Sequence, residues 1–191
     1  MMFLSLGIGA AIAVTMISVV SYFTKGATTT TTTTTVAASP LIGKEVDDAH
    51  LPPIGTAWSF APGVEKVVHV PAHNVPTVVV FFASWCGPCA EELPRISKWY
   101  SSKPNEIALE MIASNDSATD ANAFLKKSSV ALPAALDADG SVASTNYGFG
   151  TLPETVFIDG SGVVRKVVYG AVTSKDLREG TTLLLSTITR N

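Results

Sequence analysis

The alternation of apolar and polar positions divides the chain into an apolar start, a featureless polar stretch and a long run of periodic elements. From Phe3 to Phe23 there are 21 residues without a charge. Wound as an α-helix at ~1.5 Å per residue, such a run crosses the hydrocarbon core of a bilayer. No basic cluster precedes it and no small-residue cleavage site closely follows it, which favours an uncleaved transmembrane anchor over 1–24 rather than a removed signal peptide. Eight consecutive threonines follow, from Thr28 to Thr35. A run without periodicity has no face to bury, so residues 25–52 read as a flexible linker, either a functional tether or a tolerated repeat expansion. Pro52 and Pro53 mark the entry to a folded domain over 53–191.

Within that domain, the stretches 58–60 and 67–70 have the composition of short strands. Thr77 to Ala83 is apolar at almost every position, the pattern of a central strand covered on both faces. A helix is predicted to about Ser102, with Pro88 in its first turn and Pro94 placed to kink it. Glu106 to Ala113 predicts a second core strand. Ser117-x-x-Asp120 is a capping-box pattern that opens a helix to about Ser129, with Ala121, Phe124 and Leu125 facing inward. Pro133 stops that helix before a short extended piece from Ala134 to Leu136. Asp137-Ala138-Asp139-Gly140 starts like a calcium loop but lacks the later glycine and closing glutamate, so it predicts a turn into a short helix. Glu154 to Ile158 and Val163 to Tyr169 form a hairpin about the turn at 159–162. Ser174 to Ile188 predicts a last helix, in which Gly180 costs about 1 kcal/mol relative to Ala. The order is βαβ, helix, hairpin, helix: an α/β fold with a central mixed β-sheet flanked by helices.

A length of 191 residues suits one such domain behind an anchor. With 13 basic and 16 acidic residues and no Lys/Arg cluster, the chain lacks the electrostatic footprint of a nucleic-acid binder. Charge leaves the membrane orientation open, because the amino terminus and Lys25 flank the apolar run about equally. The leading anchor and the spacer behind it point to a domain outside the cytoplasm.

The chain has two cysteines, Cys86 and Cys89. They are too close to close a large loop, so their value as a staple is small and chemistry is the better reason for them. At a strand-to-helix junction, free N–H groups and the positive end of the helix dipole stabilise a thiolate. The Cys86 thiol is therefore expected to ionise below the free value of about 8.5. Cys86, at the exposed helix tip, would attack a disulfide and Cys89 would resolve the mixed disulfide. A zinc site needs about four ligands. The histidines are His50, His69 and His73, and Pro71 keeps the last two off a shared helix face. They read as ordinary loop and strand residues, with no metal and no cofactor.

The sequence Trp85-Cys86-Gly87-Pro88-Cys89 after an apolar strand, Pro94 five residues on, and Leu152-Pro153 before a hairpin together resemble the thioredoxin superfamily. The flanking text, FFASWCGPCAEELPRI and YGFGTLPETVFIDGSGVV, is similar to its membrane-anchored TlpA/ResA/CcmG-like branch, over roughly 54–188. The resemblance implies a thioredoxin-like fold in which Pro153 is cis and faces the cysteines. It also implies that the Leu152 backbone docks an extended substrate segment, as a sheet edge accepts a strand. Trp85 would shield the pair and show an edge to partners, or serve packing alone. Thioredoxin carries a buried relay aspartate at the position of Val80, so that relay is absent. Glu92, three residues after Cys89, takes its place in the anchored relatives and would exchange a proton with Cys89, while Glu91 faces solvent. Glu154 follows the proline as in cytochrome-maturation members, or is a solvated charge at a strand start. The partners implied are protein disulfide substrates, apocytochrome c among them, and a membrane thiol electron donor, in the periplasm or an equivalent space. Gly-Pro between the cysteines, by analogy, sets a reducing potential. Two rivals remain: a disulfide oxidase or isomerase, and a copper-binding module that holds Cu(I) between the two thiolates.

Overall fold

The computed structural model describes residues 39–55, 62, 66–148 and 150–188. The apolar segment 1–24, the threonine run and the strand expected at 58–60 lie outside them. Among the described residues no helix is long and apolar enough to cross a membrane.

Those residues form a six-stranded sheet and a two-stranded ribbon. The strands are β1 (Ala49–Leu51), β2 (Pro53–Ile54), β3 (Val68–Val70), β4 (Thr77–Phe82), β5 (Ala108–Ser114), β6 (Ala134–Asp137), β7 (Glu154–Ile158) and β8 (Val164–Tyr169). The helices are α1 (Gly87–Tyr100), α2 (Ala118–Lys127), α3 (Ser141–Tyr147) and α4 (Ser174–Ile188). The sheet order is β2-β6-β5-β4-β7-β8, and β1 pairs with β3. β4, β5 and β6 run parallel, β7 runs antiparallel to β4, and β8 runs antiparallel to β7. This is the mixed sheet that the sequence pattern predicts, with the almost wholly apolar β4 among its central strands.

Alternation along β4 feeds two cores. Val78, Val80 and Phe82 pack with Leu93 and Ile96 of α1, Leu125 of α2 and Leu184 of α4. Val79 and Phe81 pack on the other face with Tyr147 of α3 and Val68 and Val70 of β3. Six residues buried on both sides remove the apolar surface of β4 from water completely. At ~25 cal/mol per Å² this is the kind of burial that dominates folding.

Gly180 has a packing reason. A Cβ there would stand 2.1 Å from Cε1 of Phe157 in β7. Only a glycine lets α4 lie this close to the sheet. The pair Asp137 and Asp139 holds a helix terminus, as the turn reading requires. Asp137 Oδ1 accepts the Val142 N–H at 3.2 Å and Oδ2 accepts the Ala143 N–H at 3.0 Å, at the start of α3.

Three features differ from the pattern-based expectation. Residues 39–52, expected as linker, are part of the fold: the Gly43 N–H donates to Val164 O at 2.8 Å and the Val46 N–H to Gly162 O at 3.0 Å. β1 and β2 have three and two residues, too few to show a period. And the histidines, read as ordinary separate residues, meet on Asp48.

Candidate active site

β4 and β5 are parallel neighbours, so the loops leaving their C-terminal ends lie side by side. The first loop carries the cysteines and the second braces it. The Ser84 N–H donates to Asp116 Oδ2 at 2.6 Å and Ser84 Oγ donates to Oδ1 at 2.9 Å. The Trp85 indole N–H donates to Asn115 O at 3.1 Å. The clamping role of Asp116 was not foreseen in the sequence. The Ser114-Asn115-Asp116 turn ahead of the capping box was its one local signal.

Cys86 is the N-cap of α1, with extended backbone (φ −86°, ψ 103°). Its Sγ accepts the Cys89 N–H at 3.2 Å. An unpaired helix donor thus points at this sulfur, the arrangement that favours negative charge on it. Cys86 and Cys89 are joined in a disulfide. The helix tip is less open than expected: Cys86 is 5% exposed and Cys89 is fully buried, whereas Trp85 is 63% exposed. Leu152 is partly buried and packs against the core cluster that contains both cysteines.

The Leu152–Pro153 bond is cis. β4 and β7 are antiparallel with Phe81 opposite Glu154, so one step further along the register sets Pro153 beside Phe82, the end of the strand that leads into the cysteine loop. The Pro153 carbonyl accepts the Gly170 N–H at 2.8 Å. Among the described residues, no hydrogen bond occupies the backbone N–H or carbonyl of Leu152.

Cys89 and Glu92 are both buried on the sheet-facing side of α1, as i, i+3 spacing requires. Glu92 is 1% exposed, and its Oε2 accepts the Val172 N–H at 2.8 Å. Burial pushes its pKa from 4.5 to about 7; the Val172 hydrogen bond and the Arg95 charge pull it down only in part. Arg95 is held by its Nε–H on Val172 O at 3.2 Å, so one backbone residue organises both side chains. Glu91 is exposed on the outer side of the helix. Val80 faces this same core, and its side chain has no proton to relay.

Glu154 is not a solvated charge. It is fully buried, neither oxygen has a hydrogen-bond partner, and burial pushes its pKa to about 7, with the Gly150 N–H offsetting part of the rise without closing a hydrogen bond. It shares its sheet face with Val156 and Ile158, opposite the face that carries α1. The site thus joins two sulfurs, a carboxyl that titrates near neutrality on their side, and a cis-proline loop with free backbone groups.

A disulfide-forming pair at the tip of the helix after a central strand, beside a cis-proline loop on a mixed sheet, defines a thioredoxin-like thiol–disulfide oxidoreductase. The chain belongs to the Redoxin family, whose pattern matches residues 68–184. It is similar to the sporulation thiol-disulfide oxidoreductase A of Bacillus subtilis, at 25% identity over 118 residues, 60% of this chain and 71% of that protein. It is also similar to the thiol-disulfide oxidoreductase ResA of Bacillus thuringiensis, at 34% identity over 101 residues, 52% of this chain and 57% of that protein. The chain therefore spans little more than half the length of ResA. The crystal structure of StoA from Bacillus subtilis shares the fold, with a TM-score of 0.59 at 22% identity over 74% of this chain and 99% of that one.

Proposed function

We propose that the chain is a membrane-tethered reductant of protein disulfides outside the cytoplasm, with apocytochrome c among its substrates. The observation that carries the reading is the placement of Cys86 Sγ as the N-cap of α1, with Cys89 and the buried Glu92 behind it on one helix face. In the reduced protein the Cys86 thiolate attacks one substrate sulfur, and the displaced thiolate takes a proton from solvent. Cys89 then gives its proton to the Glu92 carboxylate and attacks Cys86 Sγ, which releases the second substrate thiol. Two electrons pass from the Cys86 thiolate and Cys89 thiol to the substrate; one substrate sulfur takes its proton from solvent and the other takes the Cys89 proton back from Glu92, and the Cys86–Cys89 disulfide remains. A membrane thiol donor returns the enzyme to its reduced form.

The free backbone groups of Leu152 offer an extended substrate segment two hydrogen bonds, and the exposed Trp85 offers it an apolar surface. The tether rests on the 21-residue uncharged run near the start of the chain, and the cytochrome assignment on the resemblance to the anchored branch. The test is the reduction potential of the full chain in detergent, by equilibration with glutathione. A reductase lies well below about −200 mV, near thioredoxin at about −270 mV; a value above about −200 mV would make the chain an oxidant.

A further inference from the structure

All three histidines of the chain converge on one carboxylate, far from the cysteines. His50 and His69 are cross-strand partners in the β1–β3 ribbon and both lie on its exposed face. Their ring centroids are 4.4 Å apart. The loop after β3 brings back His73, whose ring lies 4.6 Å from that of His69. Asp48, just before β1, completes the group. Its Oδ2 is 3.0 Å from His50 Nε2, 3.4 Å from His69 Nδ1 and 3.3 Å from His73 Nε2. His73 Nε2 and His69 Nδ1 are 3.0 Å apart.

These separations are those of a coordination polyhedron. Ligands ~2.0–2.1 Å from a tetrahedral ion stand ~3.3–3.4 Å from one another. The three edges among Asp48 Oδ2, His69 Nδ1 and His73 Nε2 are 3.4, 3.3 and 3.0 Å, so an ion enters with shifts of a few tenths of an ångström. Without an ion, His73 Nε2 and His69 Nδ1 are joined by one hydrogen bond, one nitrogen donating and the other accepting. His50 meets the same carboxylate but stands outside the set of three mutually close ligands. It is placed as the outer partner that orients a ligating carboxylate. A cleft of about 350 Å³, lined by Glu45, Asp47, Asp48 and His73 among others, adjoins the group. It leaves room for water as a fourth ligand, and its acidic rim favours a cation.

We propose that Asp48, His69 and His73 form a binding site for a divalent transition cation of the zinc type, with His50 holding the Asp48 carboxylate and water completing the coordination. Two imidazoles and one carboxylate suit Zn²⁺, Cu²⁺ and Ni²⁺ and disfavour Mg²⁺ and Ca²⁺, which take oxygen ligands. The site is independent of the redox pair. His73 precedes the first residue of β4 and the cysteines follow its last, and six strand residues span ~20 Å. An ion there joins the segment before β1, the ribbon and the loop entering β4, and so fastens the ribbon at one end of the sheet.

The test is calorimetric titration of the full chain, in detergent and with its disulfide closed so that the sulfurs cannot ligate, first with ZnCl₂ and separately with MgCl₂. One saturable Zn²⁺ per chain and no Mg²⁺ uptake is the expected result. His69→Ala with His73→Ala should weaken Zn²⁺ binding at least ~100-fold, and His50→Ala ~10–100-fold, the usual loss for an outer partner. Zn²⁺ should raise the melting temperature of the parent and not of the double variant. Should the double variant fail to fold, Asp48→Asn, which keeps the side-chain shape, must show the same loss. No saturable uptake of Zn²⁺, equal uptake of Mg²⁺, or Zn²⁺ binding unchanged in the folded variants would overturn the site.

Discussion

Replacing Glu92 by Gln tests the electrostatics of the site. Burial raises the Glu92 pKa from 4.5 to about 7, so the folded protein disfavours the carboxylate and not the neutral acid. The resulting cost is absent below pH 4.5, where Glu92 is protonated in both folded and unfolded chains. It grows as the pH rises through 4.5 and is complete above about 7, where it reaches ~3 kcal/mol. Gln keeps the shape and still accepts the Val172 N–H, but it does not titrate. Its own burial cost is the same at every pH. The stability of Glu92→Gln relative to the parent should therefore rise by ~2–3 kcal/mol between pH 5 and pH 8, in favour of the variant. Glu110 and Glu154, raised to about 8 and about 7, are common to both proteins and cancel in the difference. The assay is urea unfolding of the oxidised full chain in detergent across that range, with thiols absent and slopes compared to confirm like transitions. A stability difference that is flat with pH would show that Glu92 ionises like an exposed carboxyl and would remove it as a proton acceptor for Cys89.

Two further substitutions separate packing from propensity. Gly180→Ala should gain about 1 kcal/mol by helix propensity alone, yet its Cβ meets the buried Phe157 ring at 2.1 Å. Overpacking of ~1–3 kcal/mol should win, and the melting temperature should fall; a rise would mean that α4 can lift off the sheet freely. Asp116→Ala removes both acceptors of Ser84 and should cost ~1–3 kcal/mol in unfolding free energy while slowing disulfide exchange. Unchanged exchange would show that the second loop does not hold the first.

Sequence pattern carried the central elements because β4, the hairpin β7–β8 and α4 are long enough for their periods to show. It missed β1 and β2, which have three and two residues and owe their existence to pairing partners. The placement of Cys89 and Glu92 on one side of α1 was legible from their i, i+3 spacing, while the relay role of Glu92 came from the family resemblance. The near-burial of Cys86 was not legible, because it depends on a core assembled from elements distant in sequence. The burial of Glu154 had a local signal that went unused: a period of two places it on the face of Val156 and Ile158, both apolar. The histidine group had none. His50 and His69 meet only through the register of a ribbon, and the intervening Pro71, taken as a reason for separation, belongs to the turn that returns His73.

The account rests on the backbone amides at the start of α1 stabilising a thiolate at one sulfur. The direct measurement is the rate of iodoacetamide alkylation of Cys86 against pH in the reduced full chain. The rate should titrate clearly below the free-thiol value of about 8.5, and Cys86→Ser should abolish disulfide exchange. Alkylation that follows an unperturbed thiol, or full turnover by Cys86→Ser, would contradict it.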